Sequence, residues 1–153
     1  MKPKSASTSK TTMSELVLPS QANVAGNMHG GEVMKLMDST AGVVAARHCH
    51  GNVVTLSVDR LIFKEPIFIG DFVTCTGELI YTGRTSMEVY VTVTVENISE
   101  GERRAALEGY FVLVALDRSG RPTPVPPLLI ESEEQQASFD KARQRQQAMK
   151  ENK

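Results

Sequence analysis

The stretch 32–49, EVMKLMDSTAGVVAARHC, constrains this chain more than any other. It is apolar on most of its faces and long enough for about five helical turns, so it reads as a buried helix. It has to be covered by something, and the sequence after it supplies the cover. Four strand-length runs follow with no helical pattern between them. Run 53–63 is β-branched and apolar and stops at Lys64-Glu65-Pro66. Run 72–82 stops at Gly83. Run 87–96 alternates, with Met87, Val89, Val91, Val93 and Val95 on one face and Glu88, Tyr90, Thr92, Thr94 and Glu96 on the other. The last run, 104–116, ends in the turn Asp117-Arg118-Ser119-Gly120. One buried helix beside successive strands predicts an antiparallel α+β fold rather than a doubly wound one.

The flanks carry weaker patterns. Glu15-Leu16-Val17-Leu18 is a short strand candidate stopped by Pro19, and a turn-rich stretch, 20–27, leads to Gly30 and Gly31. Residues 1–12 are rich in Ser, Thr and Lys, show no periodic apolar signal and are expected to be disordered. Residues 131–153 favour a charged helical tail, solvated or packed on a partner, because Phe139 and Met149 are their only large apolar side chains. The domain is thus expected over 13–130, in keeping with one domain for 153 residues.

Composition removes whole classes of function. Lys and Arg number 17 against 18 Asp and Glu, which leaves no basic footprint for nucleic acid. No apolar run is long enough for membrane insertion, and the amino terminus lacks the apolar centre of a signal peptide. Two cysteines, Cys49 and Cys75, are too few for a disulfide framework or a thiolate zinc site. The expectation is a cytoplasmic protein without a metal.

The sequence has no Gly-x-Ser-x-Gly, His-Glu-x-x-His, Cys-x-x-Cys or Gly-x-Gly-x-x-Gly. Gly26 and Gly31 have the spacing of a phosphate loop, but Glu32 stands where its lysine belongs and would repel a triphosphate. His48-Cys49-His50 has metal-ligand types, yet neighbours on a helix point about 100° apart. It reads as a helix C-terminus that favours partly positive histidines. Two features remain. Asp38 is a carboxylate in the middle of the buried helix, costly there unless paired or functional. Gly30 and Gly31 open that helix, where free N–H groups suit an oxyanion.

Asn23-Val-Ala-Gly26-Asn-Met-His29-Gly30-Gly31, followed by Lys35-Leu36-Met37-Asp38, resembles the hotdog-fold acyl-CoA thioesterases, within them the cytosolic acyl-CoA hydrolases. Arg47-His48-Cys49, Val54-Thr55-Leu56-Ser57-Val58-Asp59, Gly83-Arg84-Thr85-Ser86-Met87-Glu88 and Pro122-Thr123-Pro124-Val125-Pro126 extend the resemblance over about 14–130. It implies a long sheet wrapped around the central helix, dimers joined edge to edge into one sheet, and commonly a trimer of such dimers. It implies hydrolysis of acyl-CoA to CoA and a fatty acid without a cofactor. In duplicated relatives one half carries a catalytic Asn and the other a catalytic Asp. Here Asn23 and Asp38 occupy both positions in a single-hotdog chain.

On this basis Asp38 is the general base, or a nucleophile forming an anhydride, and Asn23 holds the water or the carbonyl. Gly30 and Gly31 form the oxyanion hole. Asp38 lies seven residues past Gly31, roughly 10 Å along the same helix axis, so one helix cannot supply both ends of the reaction and a second chain must. The Gly83-Arg84-Thr85-Ser86 loop is the expected phosphate contact for CoA, and Lys64 is a second one by analogy with relatives. Thr55 and Ser57, on one strand face, are expected to line the pantetheine channel, with His29 among the substrate-contacting residues. A hydroxyacyl-thioester dehydratase and a non-catalytic acyl-CoA sensor are the alternatives. The first needs a catalytic histidine, and His29 sits among glycines better suited to an oxyanion turn. The second has no use for Asp38.

Overall fold

A computed structural model describes residues 1–152. Strand β1 (Lys4–Ser5) and a single 3-10 turn precede β2 (Thr11–Leu16), after which a loop leads to helix α1 (Gly30–Cys49). Strands β3 (Asn52–Phe63), β4 (Phe72–Thr82), β5 (Ser86–Asn97) and β6 (Glu102–Leu116) follow in succession. A short β7 (Leu128–Leu129) and helix α2 (Glu133–Glu151) close the described chain. The main sheet has five strands in the order β2-β4-β5-β6-β3, all neighbours antiparallel, while β1 and β7 form a separate parallel pair. This is the expected α+β hotdog architecture.

Helix α1 lies on one face of the sheet and buries Val33, Leu36, Met37, Ala41, Val44 and Ala45 at the three- and four-residue spacing of one helix face. They meet Val73, Cys75 and Leu79 of β4, the Met87-to-Val95 ladder of β5, and Phe111 and Leu113 of β6. Each such Val, Leu or Met is worth about 1.5–3 kcal/mol of burial. The approach is closest at Gly77, where an added Cβ would stand 3.0 Å from the Val44 side chain and 3.2 Å from that of Thr40. Helix α2 covers the opposite face of β4 and β5.

Several expectations need correction. Residues 1–12 are structured: Lys4 Nζ donates to the last carbonyls of α1, at 2.6 Å from His48 O, and Ala6, Ser9 and Thr11 are buried. Here a polar segment is held by its hydrogen bonds to a helix end rather than by an apolar stripe. Strand β2 accordingly runs Thr11–Leu16, earlier than the Glu15–Leu18 run suggests. The 131–153 tail is helical as expected, with Lys153 outside the described residues, but it packs on its own sheet. Ala142 is buried, and Phe139 sits 4.7 Å, centroid to centroid, from Tyr81. Helix α1 begins at Gly30, two residues before the apolar pattern, and leaves Met34 and Asp38 exposed on its uncovered side.

Candidate active site

The amino-terminal end of α1 opens into a cleft of about 390 Å³ between the 22–28 loop, the end of β3 and the start of β6. Asn23, Gly30 and Lys64 line it together with Asn27, Phe63 and Leu107. The loop fixes the Asn23 side chain through its own backbone: Asn23 Oδ1 accepts from Ala25 N at 3.0 Å and Asn27 N at 3.2 Å, and Gly26 takes a positive φ of 85°. The amide nitrogen of the Asn23 side chain is then the group left to a ligand. Isolated bridges pair Ala22 with Met28 and Asn27 with Phe68, locking the loop to the β3–β4 connection.

His29 is the helix N-cap residue. Its carbonyl accepts from Glu32 and Val33, and its exposed side chain makes no cap hydrogen bond. Gly30 and Gly31 form the first two helical positions, and their N–H groups have no acceptor in the chain among the described residues. These are the orphan donors at the positive end of a helix dipole that an oxyanion needs. The far wall is kept rigid by a buried ion pair that sequence reasoning missed. Arg104 bonds Asp71 at 3.0 Å and Pro66 O at 2.8 Å, and Asp71 also accepts from Phe68 N. One charge just before β4 and another on β6 give no signal of such a pairing.

Asp38 lies outside this cleft. It is exposed in the single chain, facing β3, where the Thr55 hydroxyl donates to its Oδ1 at 2.6 Å. Asp38 and Thr55 thus form one pair, and Asn23, Gly30 and Lys64 another group. Ser57 joins neither. The register shifts by one residue at Leu56, so Thr55 opposes core-facing Leu113 whereas Ser57 opposes Val112. Ser57 Oγ is buried without a partner, beside Gln146 and Met149 of α2. The expectation that Thr55 and Ser57 share a face therefore fails, because a β-bulge reverses the alternation.

Lys64 is ion-paired with Glu108 at 3.3 Å. The Tyr90 hydroxyl also donates to Glu108 and, with Lys64, holds its carboxyl below the usual carboxylate range. Gly83, Arg84, Thr85 and Ser86 form the tight β4–β5 turn, with Gly83 N bonded to Ser86 O at 2.9 Å. Arg84 is exposed, while Ser86 Oγ is engaged by Gln146 at 3.4 Å. The turn lies level with the start of β3, whereas Lys64 follows its end. Between those two points β3 runs alongside Leu116 to Leu107 of β6, which puts the two cations about 30 Å apart along the strands of one chain.

His48 corrects the reading of the helix C-terminus. It is fully buried, its Nε2 lies 2.6 Å from Pro126 O, and burial lowers its pKa below the ordinary 6.5, so it is held neutral rather than partly positive. The left-handed C-cap of α1 is His50, with φ 52°. The described residues hold no group of three His, Cys, Asp or Glu placed to bind a metal, and no helix long and apolar enough to cross a membrane.

The sequence signature of the thioesterase superfamily matches residues 25–102. The cytosolic acyl coenzyme A thioester hydrolase of Rattus norvegicus is 39% identical over 150 residues, covering 97% of this chain and 39% of that protein. The chain therefore spans about two fifths of the length of the curated relatives it matches first. Among solved structures, an apo hexameric acyl-CoA thioesterase superposes with a TM-score of 0.93 at 36% identity, covering 99% of this chain and 97% of that one. The acyl-CoA hydrolase of Staphylococcus aureus, in complex with butyryl coenzyme A, coenzyme A and coenzyme A disulfide, gives 0.87 at 33% identity over 97% and 91% of the two chains. That hydrolase has also been solved with an Asp, an Asn and a Thr each replaced by alanine.

Proposed function

The chain belongs to the thioesterase superfamily, among the hotdog-fold acyl-CoA thioester hydrolases, and from that premise we propose that it hydrolyses fatty acyl-CoA to CoA and a free fatty acid. The observation that carries this reading is the cleft at the start of α1, where Asn23, Gly30 and Lys64 converge, with the unbonded Gly30 and Gly31 amides at the helix start beside it. The thioester carbonyl lies against the two amides, and the Asn23 side-chain amide holds the carbonyl or the attacking water. Asp38 takes a proton from that water as it attacks. The tetrahedral oxyanion is stabilised by the amides, the C–S bond breaks, and the CoA thiolate recovers the proton from Asp38. The Thr55 hydrogen bond occupies one Asp38 oxygen and orients the other. Water and these side chains are sufficient, with no cofactor called for.

Asp38 reaches that cleft from a second copy. The β3 edge is unpaired in the single chain and exposes Val54, Leu56, Val58, Ile62 and Phe63, an apolar ladder that an antiparallel second β3 would cover. Such pairing sets the start of one β3 beside the end of the other. It carries Asp38, Thr55 and the Gly83–Ser86 turn of one chain toward the cleft of its partner, where Arg84 and Lys64 would grip the CoA phosphates from two sides. The intervals between the three residues replaced in the Staphylococcus aureus variants equal those between Asn23, Asp38 and Thr55, which supports assigning these three to the site. Three such dimers would form the hexamer named for the solved relatives, and the cytosolic setting named for the rat relative is part of the same proposal.

Thiol release from acyl-CoA tests the reading. Asp38→Ala is expected to lower kcat at least a hundredfold with an unchanged circular dichroism spectrum, because the base is gone while an exposed position tolerates alanine. Turnover near that of the unaltered protein contradicts the mechanism. A dehydratase or an acyl-CoA sensor releases no thiol at all.

A further inference from the structure

Glu108 is not part of the cleft lining, yet it holds a residue that is. Leu107 points into the core, so its neighbour Glu108 points to the face of β6 turned away from α1. Tyr90 of β5 stands opposite Tyr110 of β6, which sets it diagonal to Glu108 on that same face. Its hydroxyl donates to Glu108 Oε2. Burial and this hydrogen bond raise the Tyr90 hydroxyl above its ordinary pKa of 10, so it stays a donor. The Tyr90 ring is itself packed, 5.0 Å from that of Tyr110, over which the Arg145 guanidinium lies at 4.1 Å. Glu108 Oε1 is then left to Lys64 Nζ at 3.3 Å. The Lys64 backbone is tied to the same strand, its N–H donating to Ala106 O at 2.8 Å.

We propose that Glu108, clamped by Tyr90, is a positioning residue for CoA, holding the Lys64 ammonium at the rim of the cleft where a phosphate binds. The proposal rests on the thioesterase reading and deepens it by naming what sets one phosphate contact. With side chains 44% and 25% exposed, the Lys64–Glu108 pair contributes little to stability. What it fixes is the place of a cation. A lysine carries its charge on a flexible four-carbon stem, and a ligand that must order that stem loses affinity. An ammonium has three donors, so one spent on Glu108 leaves two for phosphate oxygens. A lone carboxylate at such a site would repel the ligand, but both oxygens of Glu108 are engaged, one by a hydroxyl and one by the ammonium. Tyr90 keeps the carboxylate from following the lysine when the ligand arrives.

Glu108→Gln, Tyr90→Phe and Lys64→Ala are compared as full-length proteins. Thiol release is read on acyl-CoA and on acyl-pantetheine, which lacks the nucleotide phosphates, and CoA affinity is read by calorimetry. Glu108→Gln is expected to cut the KM preference for acyl-CoA over acyl-pantetheine at least threefold, with kcat changing less than KM, and to weaken CoA binding by a similar factor. Tyr90→Phe is expected to shift both in the same direction by less. Added to Lys64→Ala, Glu108→Gln is expected to change neither. A Glu108→Gln protein with a lower KM for acyl-CoA overturns the proposal, since the carboxylate would then be competing with the phosphate. Equal KM losses on both substrates, or the same loss without Lys64, overturn it too, because Glu108 would then act on the fold alone. A protein that binds CoA in the expected pattern but releases no thiol supports the proposal and overturns the thioesterase reading. Thiol release with an unchanged KM preference does the reverse.

Discussion

Helix α2 is anchored by a charge that the sheet would otherwise have to bury alone, and Arg145→Ala exposes what that anchor contributes. The Arg145 guanidinium bonds the Glu88 carboxylate, and its Cζ stands 4.1 Å from the Tyr110 ring centroid. The Glu88 side chain is only 2% exposed. Burial raises its pKa above the ordinary 4.5 even with Arg145 pulling the other way. Removing the arginine leaves a buried carboxylate without its cation, a loss of about 3–5 kcal/mol for pairs of this kind. For a chain of this length, about 10 °C in Tm corresponds to that loss. The sign of the pH effect follows from the raised pKa. A carboxyl harder to ionise folded than unfolded contributes stability below the unfolded value near 4.5 and loses it as pH rises through the folded one. The destabilisation by Arg145→Ala is therefore greatest at neutral pH and shrinks toward pH 4.5. Melts at fixed protein concentration across that range measure it, with Glu88→Gln added to restore most of the loss. An equal loss at both pH values, or no recovery in the double variant, refutes the argument.

Arg84→Ala is expected to raise KM for acyl-CoA severalfold with little change in kcat, and to have no effect on acyl-pantetheine, which lacks the nucleotide phosphates; equal loss on both substrates removes Arg84 from phosphate binding. His48, held neutral by burial, contributes stability above its unfolded pKa near 6.5 that fades as pH falls. The stability advantage of the unaltered protein over His48→Gln is thus expected to shrink between pH 8 and pH 5, and chemical denaturation at the two values reads it.

The helix and the four long strands were legible because their patterns are local: Met87 to Val95 alternate in sequence and lie buried on one face of β5. Periodicity names a face but not what covers it. Glu88 and Tyr90 read as solvent-facing, yet α2 closes over them with Arg145. The bulge at Leu56 is equally silent in sequence, and it separates Thr55 from Ser57. Asn23, Gly30 and Lys64 line one cleft because loop, helix start and strand end are fixed by one chain. Asp38 does not join them, since it lies on the side of α1 that faces β3, where it bonds Thr55 instead.

The central claim, that each site takes Asn23 from one chain and Asp38 from another, has a direct measurement. Asn23→Ala and Asp38→Ala proteins, each inactive alone, are unfolded together in equal amounts and refolded. Random pairing makes half the dimers mixed, and in each mixed dimer one site holds both defects while the other holds none. The account predicts recovery of about a quarter of the unaltered activity. No recovery after verified subunit exchange would mean that both residues serve one site from a single chain, and the shared site would be wrong.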